Sequence, residues 1–219
     1  MERHFDEQLT ALKHTLIKMS ALSEAMISDS IQVLCKRDTS AVPRIREHEE
    51  EVNRLQIEID GICLRLIALY QPTAGDLRFI LGAVKTNGDL ERMADLAINI
   101  CDKAERLLEE PPLAPLATSL PDMAALASQM VKESLHAYVN RAADKARIVL
   151  LRDDQLDDMN RRITTDLLAL MQKDSGMIKR ALNLLLIARN LERIGDHATN
   201  IAENAIFVVK GLDVRHHHE

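Results

Sequence analysis

One twelve-residue segment is written twice in this chain, and the repetition limits the folds that the chain can adopt. Residues 89–100 read DLERMADLAINI and residues 190–201 read NLERIGDHATNI, with seven of the twelve positions identical. Internal similarity at a fixed spacing is the mark of a duplicated structural unit. We therefore expect a fold built from two related halves, each with its own copy of this segment.

The spacing of apolar residues is helical along almost the whole sequence. Six helices are predicted, the first ending near residue 37 and the others covering about 40–69, 74–108, 122–140, 142–171 and 177–210. Hydrophobic residues make up 47% of the chain and aromatic residues only 2%, which is typical of long helices that pack through aliphatic side chains. The predicted fold class is all-α, a tandem repeat of two three-helix antiparallel bundles.

The positions of the helix ends indicate where the two units meet. The segment EEPPLAPLATSLPD contains four prolines in fourteen residues and is the strongest linker signal in the chain. We predict a first three-helix repeat over residues 1–110, a proline-rich linker over 111–121 and a second repeat over 122–214. At the helix starts we expect Thr39 or Ser40 to cap the second helix, and Thr73 with Asp76 to form a capping box for the third.

Each half carries acidic pairs spaced four residues apart, about 40° from one another around a helix. In the second half the pairs are Asp153 with Asp157 and Glu192 with Asp196, called the second site below. In the first half they are Glu49 with Asn53 and Glu91 with Asp95, called the first site. The sequence register supports the match. Glu91 and Glu192 are 101 positions apart, and Glu49 and Asp153 are 104 apart. The two offsets differ because the loop between the second and third helices is three residues longer in the first half than its counterpart in the second half.

These acidic pairs are predicted to bind metal. They lie on helix stripes that are otherwise apolar, and Arg92 and Arg193 project about 100° away from the carboxylates. Unpaired carboxylates on such a stripe are costly, and a hard cation between two helices would offset the cost. Iron is the first choice among divalent and trivalent ions, with Zn, Mn, Mg or Ca as alternatives. The second site has four carboxylates and the first only three and an amide, so the second is expected to bind more tightly. Solvated helix surfaces remain the alternative explanation.

Charge, motifs and cysteines exclude several classes of protein. The net charge is −6 without a basic cluster, which disfavours direct nucleic-acid binding. There is neither a signal peptide nor a run of about 20 apolar residues, so we expect a cytoplasmic protein without a transmembrane segment. The three cysteines form no zinc or redox motif, and no nucleophilic triad or glycine-rich phosphate loop is present.

The two LER-x-x-D helices in a tandem three-helix protein of this length resemble the PhoU family of phosphate-uptake regulators. The second copy, LERIGDHATNIAE, carries the resemblance most strongly, and the YQP turn, the central linker and the VVKGLDVRH ending extend it over nearly the whole chain. The resemblance implies multinuclear metal clusters on E(D)xxxD motifs. Glu91/Asp95, Asp153/Asp157 and Glu192/Asp196 match that motif fully, whereas Glu49/Asn53 departs at its last position and Ala94 replaces the glycine of the second copy.

The resemblance also implies a function. A member of this family would be a cytoplasmic, non-enzymatic, homodimeric adaptor. It would act between the ATPase subunit of the phosphate ABC transporter and the sensor histidine kinase of the phosphate response. When phosphate is plentiful it would keep the starvation response repressed.

Two other functions remain open at the level of sequence. A di-iron carboxylate, ferritin-like oxidase would need glutamate and histidine three residues apart on one helix face. Here His197 follows Asp196 directly and points away from Glu192, and an oxygen-reactive di-iron absorption band would identify such an enzyme. A metal-free helical scaffold with hydrogen-bonded acids is the second alternative, and metal analysis would identify it.

Overall fold

The computed structural model describes residues 2–111, 119–212 and 214 of the chain. It contains six long helices and two short 3-10 turns, and none of the described residues forms a strand. The helices are α1 (Glu2–Lys36), α2 (Val42–Tyr70), α3 (Ala74–Leu108), α4 (Leu120–Val139), α5 (Ala143–Lys173) and α6 (Ile178–Lys210). The all-α prediction is confirmed.

The helix starts differ in detail from the predicted caps. A 3-10 turn, Thr39–Ala41, precedes α2 and is capped by Asp38, whose Oδ1 accepts a hydrogen bond of 2.9 Å from the backbone N–H of Ser40. The predicted cap of the second helix by Thr39 or Ser40 is therefore wrong. The capping box before α3 is also wrong, because Thr73 makes no side-chain cap and the carboxylate of Asp76 accepts a bond of 2.7 Å from Arg141.

Residues 112–118 of the predicted linker lie outside the described residues, and the predicted domain boundaries stay a prediction. On the far side of this segment, α4 begins at Leu120, two residues earlier than expected, because Pro121 stands in its first turn. Proline fits that position since the first N–H groups of a helix have no partner within the helix. At the other end of the chain, Gly211 closes α6 with a φ of 68°, in the left-handed conformation that favours glycine at a helix end.

The two halves pack side by side around matching helices. In the first half α1, α2 and α3 pack against one another, and in the second α4, α5 and α6 do the same. The halves are joined where α1 meets α4 and α3 meets α6. At one end of the α3–α6 contact Arg78 donates to the carbonyl of Val208 (3.4 Å), and at the other Lys179 donates to Glu110 (3.1 Å). The two equivalent helices therefore run antiparallel, as a pseudo-twofold axis requires.

One apolar core runs through both halves. Tyr138 of α4 is fully buried and stacks on Phe79 of α3 with ring centroids 5.0 Å apart. Its hydroxyl donates to the carbonyl of Phe79. The tyrosine lies so close to Gly82 that a Cβ there would be 2.9 Å from the phenolic oxygen. A Cβ at Gly82 would also lie 3.2 Å from Val208 of α6, so the two repeats meet in a tightly packed contact at this glycine.

No helix in the described part of the chain has a stretch apolar enough to span a membrane.

Candidate metal sites

The two sites lie at matching margins of the helix pairs, the first between α2 and α3 and the second between α5 and α6. Most of their side chains are half-buried, and Asp196 is exposed. The stripes that carry them are less buried than the sequence pattern predicts, since Leu64 is 70% exposed and Val84 is 42% exposed. In the second half Leu168 and Ile178 are also about half exposed, so the apolar stripes are only partly buried and water reaches the edges of both sites.

In the second site the structure brings all four predicted carboxylates within electrostatic range of one another. Burial, followed by the charges of Asp196, Asp157, Asp154 and Glu192, raises the pKa of Asp153 from an ordinary value of 3.8 to about 6. Oδ1 of Asp153 is buried and has no hydrogen-bond partner among the described residues. Burial and neighbouring acids also raise the pKa of Glu192 and of Asp196. Uncompensated negative charge therefore collects at this site.

The cations near the second site compensate this charge only weakly. Arg161 lies 4.0 Å from Asp157, and the arginine side chain is 66% exposed. Arg189 and Arg193 lower the pKa of Glu192, but this effect is smaller than the effects of burial and of the neighbouring acids. Exposed ion pairs of this kind contribute little because solvent screens them.

In the first site the acidic pairs have partners of their own, although Arg92 is 64% exposed and its ion pairs are screened by solvent as that of Arg161 is. Asn53 donates a hydrogen bond of 3.0 Å to Glu49, and Arg92 lies 3.6 Å from Glu91 and 3.5 Å from Asp95. The expectation that Arg92 points away is wrong, because its long side chain folds back over the helix. Burial and Asp95 raise the pKa of Glu91, while Arg92 and His197 oppose the rise. The departure of Asn53 from the acidic pattern thus replaces a repulsion with a hydrogen bond.

A polar contact between the two sites was missed by the sequence reasoning. His197 of α6 lies 2.9 Å from the carboxylate of Asp89 on α3, and Asn200 donates to the same oxygen at 3.1 Å. The charge of His197 lowers the pKa of Glu91 in the first site and that of Asp196 in the second. No spacing rule links residues 89 and 197, because their contact exists only once α3 and α6 are packed together.

The glycine of the second repeat is explained by packing. A Cβ on Gly195 would lie 2.3 Å from Cδ2 of Leu156, and 3.6 Å from Oδ1 of Asp153. In the first repeat the position of Gly195 is taken by Ala94, and the position of Leu156 is taken by the smaller Val52. In the first repeat the larger Ala94 therefore faces the smaller Val52, and the presence of alanine instead of glycine does not disturb the first site.

The residues of the second site fit a hard cation better than those of the first. Four carboxylates with one orphaned, buried oxygen are a suitable donor set, since carboxylate oxygens are the ligands that such ions prefer. Among the described residues no three His, Cys, Asp or Glu side chains converge closely enough to hold an ion in this arrangement. Charges affect one another's pKa over longer distances than a metal–ligand bond spans. The four acids are therefore neighbours, and their side chains would have to change rotamer to coordinate one ion.

Comparison with known proteins gives consistent matches over nearly the whole chain. The family model described as the PhoU domain matches residues 16–104 and again residues 120–205. The phosphate-specific transport system accessory protein PhoU homolog of Zymomonas mobilis is 38% identical over 207 residues, covering 94% of this chain and 87% of that protein. The homolog of Pseudomonas aeruginosa is 34% identical over 216 residues, covering 99% and 89%.

Two solved structures share the fold. The crystal structure of PhoU from Pseudomonas aeruginosa matches with a TM-score of 0.91 and 33% identity, over 95% of this chain and all of that one. The phosphate transport system regulatory protein PhoU from Streptococcus pneumoniae matches with a TM-score of 0.88 and 28% identity, over 96% of this chain and 99% of that one.

Proposed function

This chain belongs to the PhoU family, and from that membership we propose that it regulates phosphate uptake and the phosphate-starvation response. The observation that carries the proposal is the extent of the match. Both repeats are covered by the family model, and relatives named as accessory proteins of a phosphate-specific transport system align over almost their full length. The chain thus covers 87% and 89% of the length of those two relatives.

We propose that the protein acts as a cytoplasmic, homodimeric adaptor between the ATPase subunit of the phosphate ABC transporter and the sensor histidine kinase. When phosphate is plentiful, the adaptor would keep the kinase in the state that represses the starvation genes. Contact with the membrane would be peripheral, through these partners. No nucleic acid is needed for this role, because repression would be exerted through the kinase.

The adaptor role is tested by co-purification from cells grown in rich phosphate. The tagged protein should capture both the ATPase subunit and the sensor kinase. The tag expressed without the protein should capture neither. If neither partner is retained, the adaptor role is wrong even though the family assignment stands.

We further propose that metal ions contribute to this role, bound first at Asp153, Asp157, Glu192 and Asp196. The support is the orphaned buried oxygen of Asp153 and the raised pKa values of three of these acids. A bound cation would supply positive charge that the chain itself does not provide there. The first site has its own hydrogen bond and arginine, so we expect it to fill later or to stay empty.

The metal proposal is tested by elemental analysis and anomalous scattering on protein lacking the three terminal histidines, which bind transition metals on their own. One or more ions of iron, zinc, manganese, magnesium or calcium should be found at the second site. A metal-free protein after growth and purification with each of these ions would favour the metal-free scaffold.

The names of the relatives, accessory and regulatory proteins, support a non-enzymatic role. A di-iron oxidase would need a histidine in the carboxylate site, and His197 instead bonds with Asp89 on another helix. Absence of an oxygen-reactive di-iron absorption band in iron-loaded protein is the expected result, and the appearance of such a band would favour the enzyme.

A further inference from the structure

A basic groove lies between α4 and α5, on a different face of α5 from the second site. It is lined by Lys132 and His136 of α4 and by Lys145 and Arg152 of α5, with Glu133 between them. The groove has a volume of about 550 Å³. Lys132 and His136 are one helical turn apart, and Lys145 and Arg152 are two turns apart, so each helix presents its basic residues to the same side.

The single carboxylate of the groove is already engaged. Glu133 accepts a hydrogen bond from Arg152 and one of 2.9 Å from Gln129. Among the described residues, the side chains of Lys132, Lys145 and His136 make no hydrogen bond or ion pair. Lys132 and Lys145 therefore keep their donors for a ligand. Burial raises the pKa of Glu24 in α1, and the nearby charge of Lys132 opposes this rise, but Glu24 does not line the groove, where three permanent cations stand with one carboxylate.

The groove is a property of the second repeat and not of the fold. The repeat register holds in this region, because the turns after α1 and α4 both place an arginine in the left-handed conformation, Arg37 (φ 54°) and Arg141 (φ 52°). At the same register the first repeat has Ser28, Asp29, Gln32, Ala41 and His48 in place of Lys132, Glu133, His136, Lys145 and Arg152. The first repeat thus lacks both lysines, its Ala41 lies in a 3-10 turn instead of a helix, and the carboxylate of Asp29 is bonded by Arg44 at 2.8 Å.

We propose that this groove binds a phosphate-sized dianion, either inorganic phosphate or the phosphate monoester of a lipid headgroup such as that of phosphatidic acid. Excess positive charge in a half-open groove suits a compact ligand that carries about two negative charges at neutral pH. An extended polyanion such as nucleic acid fits less well, because the remainder of this acidic surface would repel it and the groove has no aromatic side chain for base stacking. The proposal does not depend on the metal sites or on the adaptor role.

The test compares three proteins: the wild type, the double variant Lys132→Gln/Lys145→Gln, and the control Lys36→Gln/Lys173→Gln. The control loses the same charge from helix ends far from the groove. All four lysines are exposed, so each protein should keep the wild-type melting temperature. Binding is measured by isothermal titration calorimetry with inorganic phosphate at constant ionic strength. A second arm measures co-sedimentation with phosphatidylcholine vesicles that contain phosphatidic acid.

We expect saturable binding by the wild type and the control in at least one arm, and binding at least tenfold weaker by the double variant. Binding in the phosphate arm alone identifies free phosphate as the ligand, and binding in the vesicle arm alone identifies a lipid headgroup. Binding in both arms means that the groove recognises the shared phosphate group. The proposal is overturned if the wild type binds in neither arm, or if the double variant and the control behave alike.

Discussion

Replacing Asp153 with asparagine should stabilise the metal-free protein at neutral pH. The side chain keeps its size, while the charge that burial and the neighbouring acids disfavour is removed. A rise in pKa from 3.8 to about 6 corresponds to about 3 kcal/mol of unfavourable free energy for the ionised native state. Because solvent reaches the edge of the site, we reduce this to about 1 kcal/mol, or a rise in melting temperature of roughly 2–4 °C for a chain of this size.

The pH dependence follows from the sign of the shift. A carboxyl with a raised pKa holds its proton more tightly in the folded protein than in the unfolded chain, so wild-type stability falls as pH rises from about 4 to about 6 and stays lower above that. The advantage of Asp153→Asn should therefore be full at pH 7.5 and absent near pH 4. Urea unfolding in chelator, monitored by circular dichroism at pH 4 and pH 7.5, measures the free energy of unfolding of the wild type and of Asp153→Asn.

The matched control is Glu49→Gln, at the equivalent position of the first repeat. Glu49 accepts a hydrogen bond from Asn53, so its replacement should leave stability unchanged or lower it by up to about 1 kcal/mol. In saturating metal, Asp153→Asn should lose its advantage, because the wild type alone gains the full stabilisation by the bound ion. Equal effects of the two substitutions at pH 7.5 in chelator, or a gain by Asp153→Asn that persists at pH 4, would refute the electrostatic reasoning.

Three further comparisons test other parts of the structure. Asp196→Asn should lower metal content more than Asp95→Asn does, as measured by elemental analysis; equal retention by both variants would contradict a preference for the second site. Gly195→Ala should destabilise the protein by about 1–3 kcal/mol in thermal unfolding, because the added methyl group overpacks the core. Gly88→Ala should stabilise it by about 0.5–1 kcal/mol, because the added methyl group meets no atom within 4 Å and alanine favours the helix. The opposite order of stabilities would show that the described packing around Gly195 is wrong. Tyr138→Phe should cost about 1 kcal/mol by the same assay, and no loss would mean that the buried hydroxyl bond contributes nothing.

The sequence predicted the helices well because their signal is local and repeated. Apolar spacing and the duplicated segment sufficed for six helices in two related halves, and Gly211 marks the end of α6 by its own backbone geometry. The caps before α2 and α3 were predicted less well. Several polar side chains compete there, and the competition is decided by partners distant in the chain, as when Arg141 engages Asp76.

The sites were predicted as a set of residues but not as an electrostatic arrangement. The four acids of the second site lie within electrostatic range of one another, but no three described His, Cys, Asp or Glu side chains converge closely enough to hold an ion, so the metal site stays a prediction. The spacing of four residues did not predict that Arg92 folds back over the first site, because a long side chain chooses among rotamers that the helix wheel ignores. The contact between His197 and Asp89 depends on how α3 crosses α6, which is decided by packing between residues far apart in the sequence, such as Gly82 and Val208.

The most direct test of the proposed function is the expression of the high-affinity phosphate uptake genes in a strain that lacks this protein. In rich phosphate, a reporter on those genes should be switched on in the deletion strain and switched off again when the wild-type chain is restored. If the reporter stays repressed in rich phosphate and responds normally to starvation without the protein, then this chain does not regulate the phosphate response.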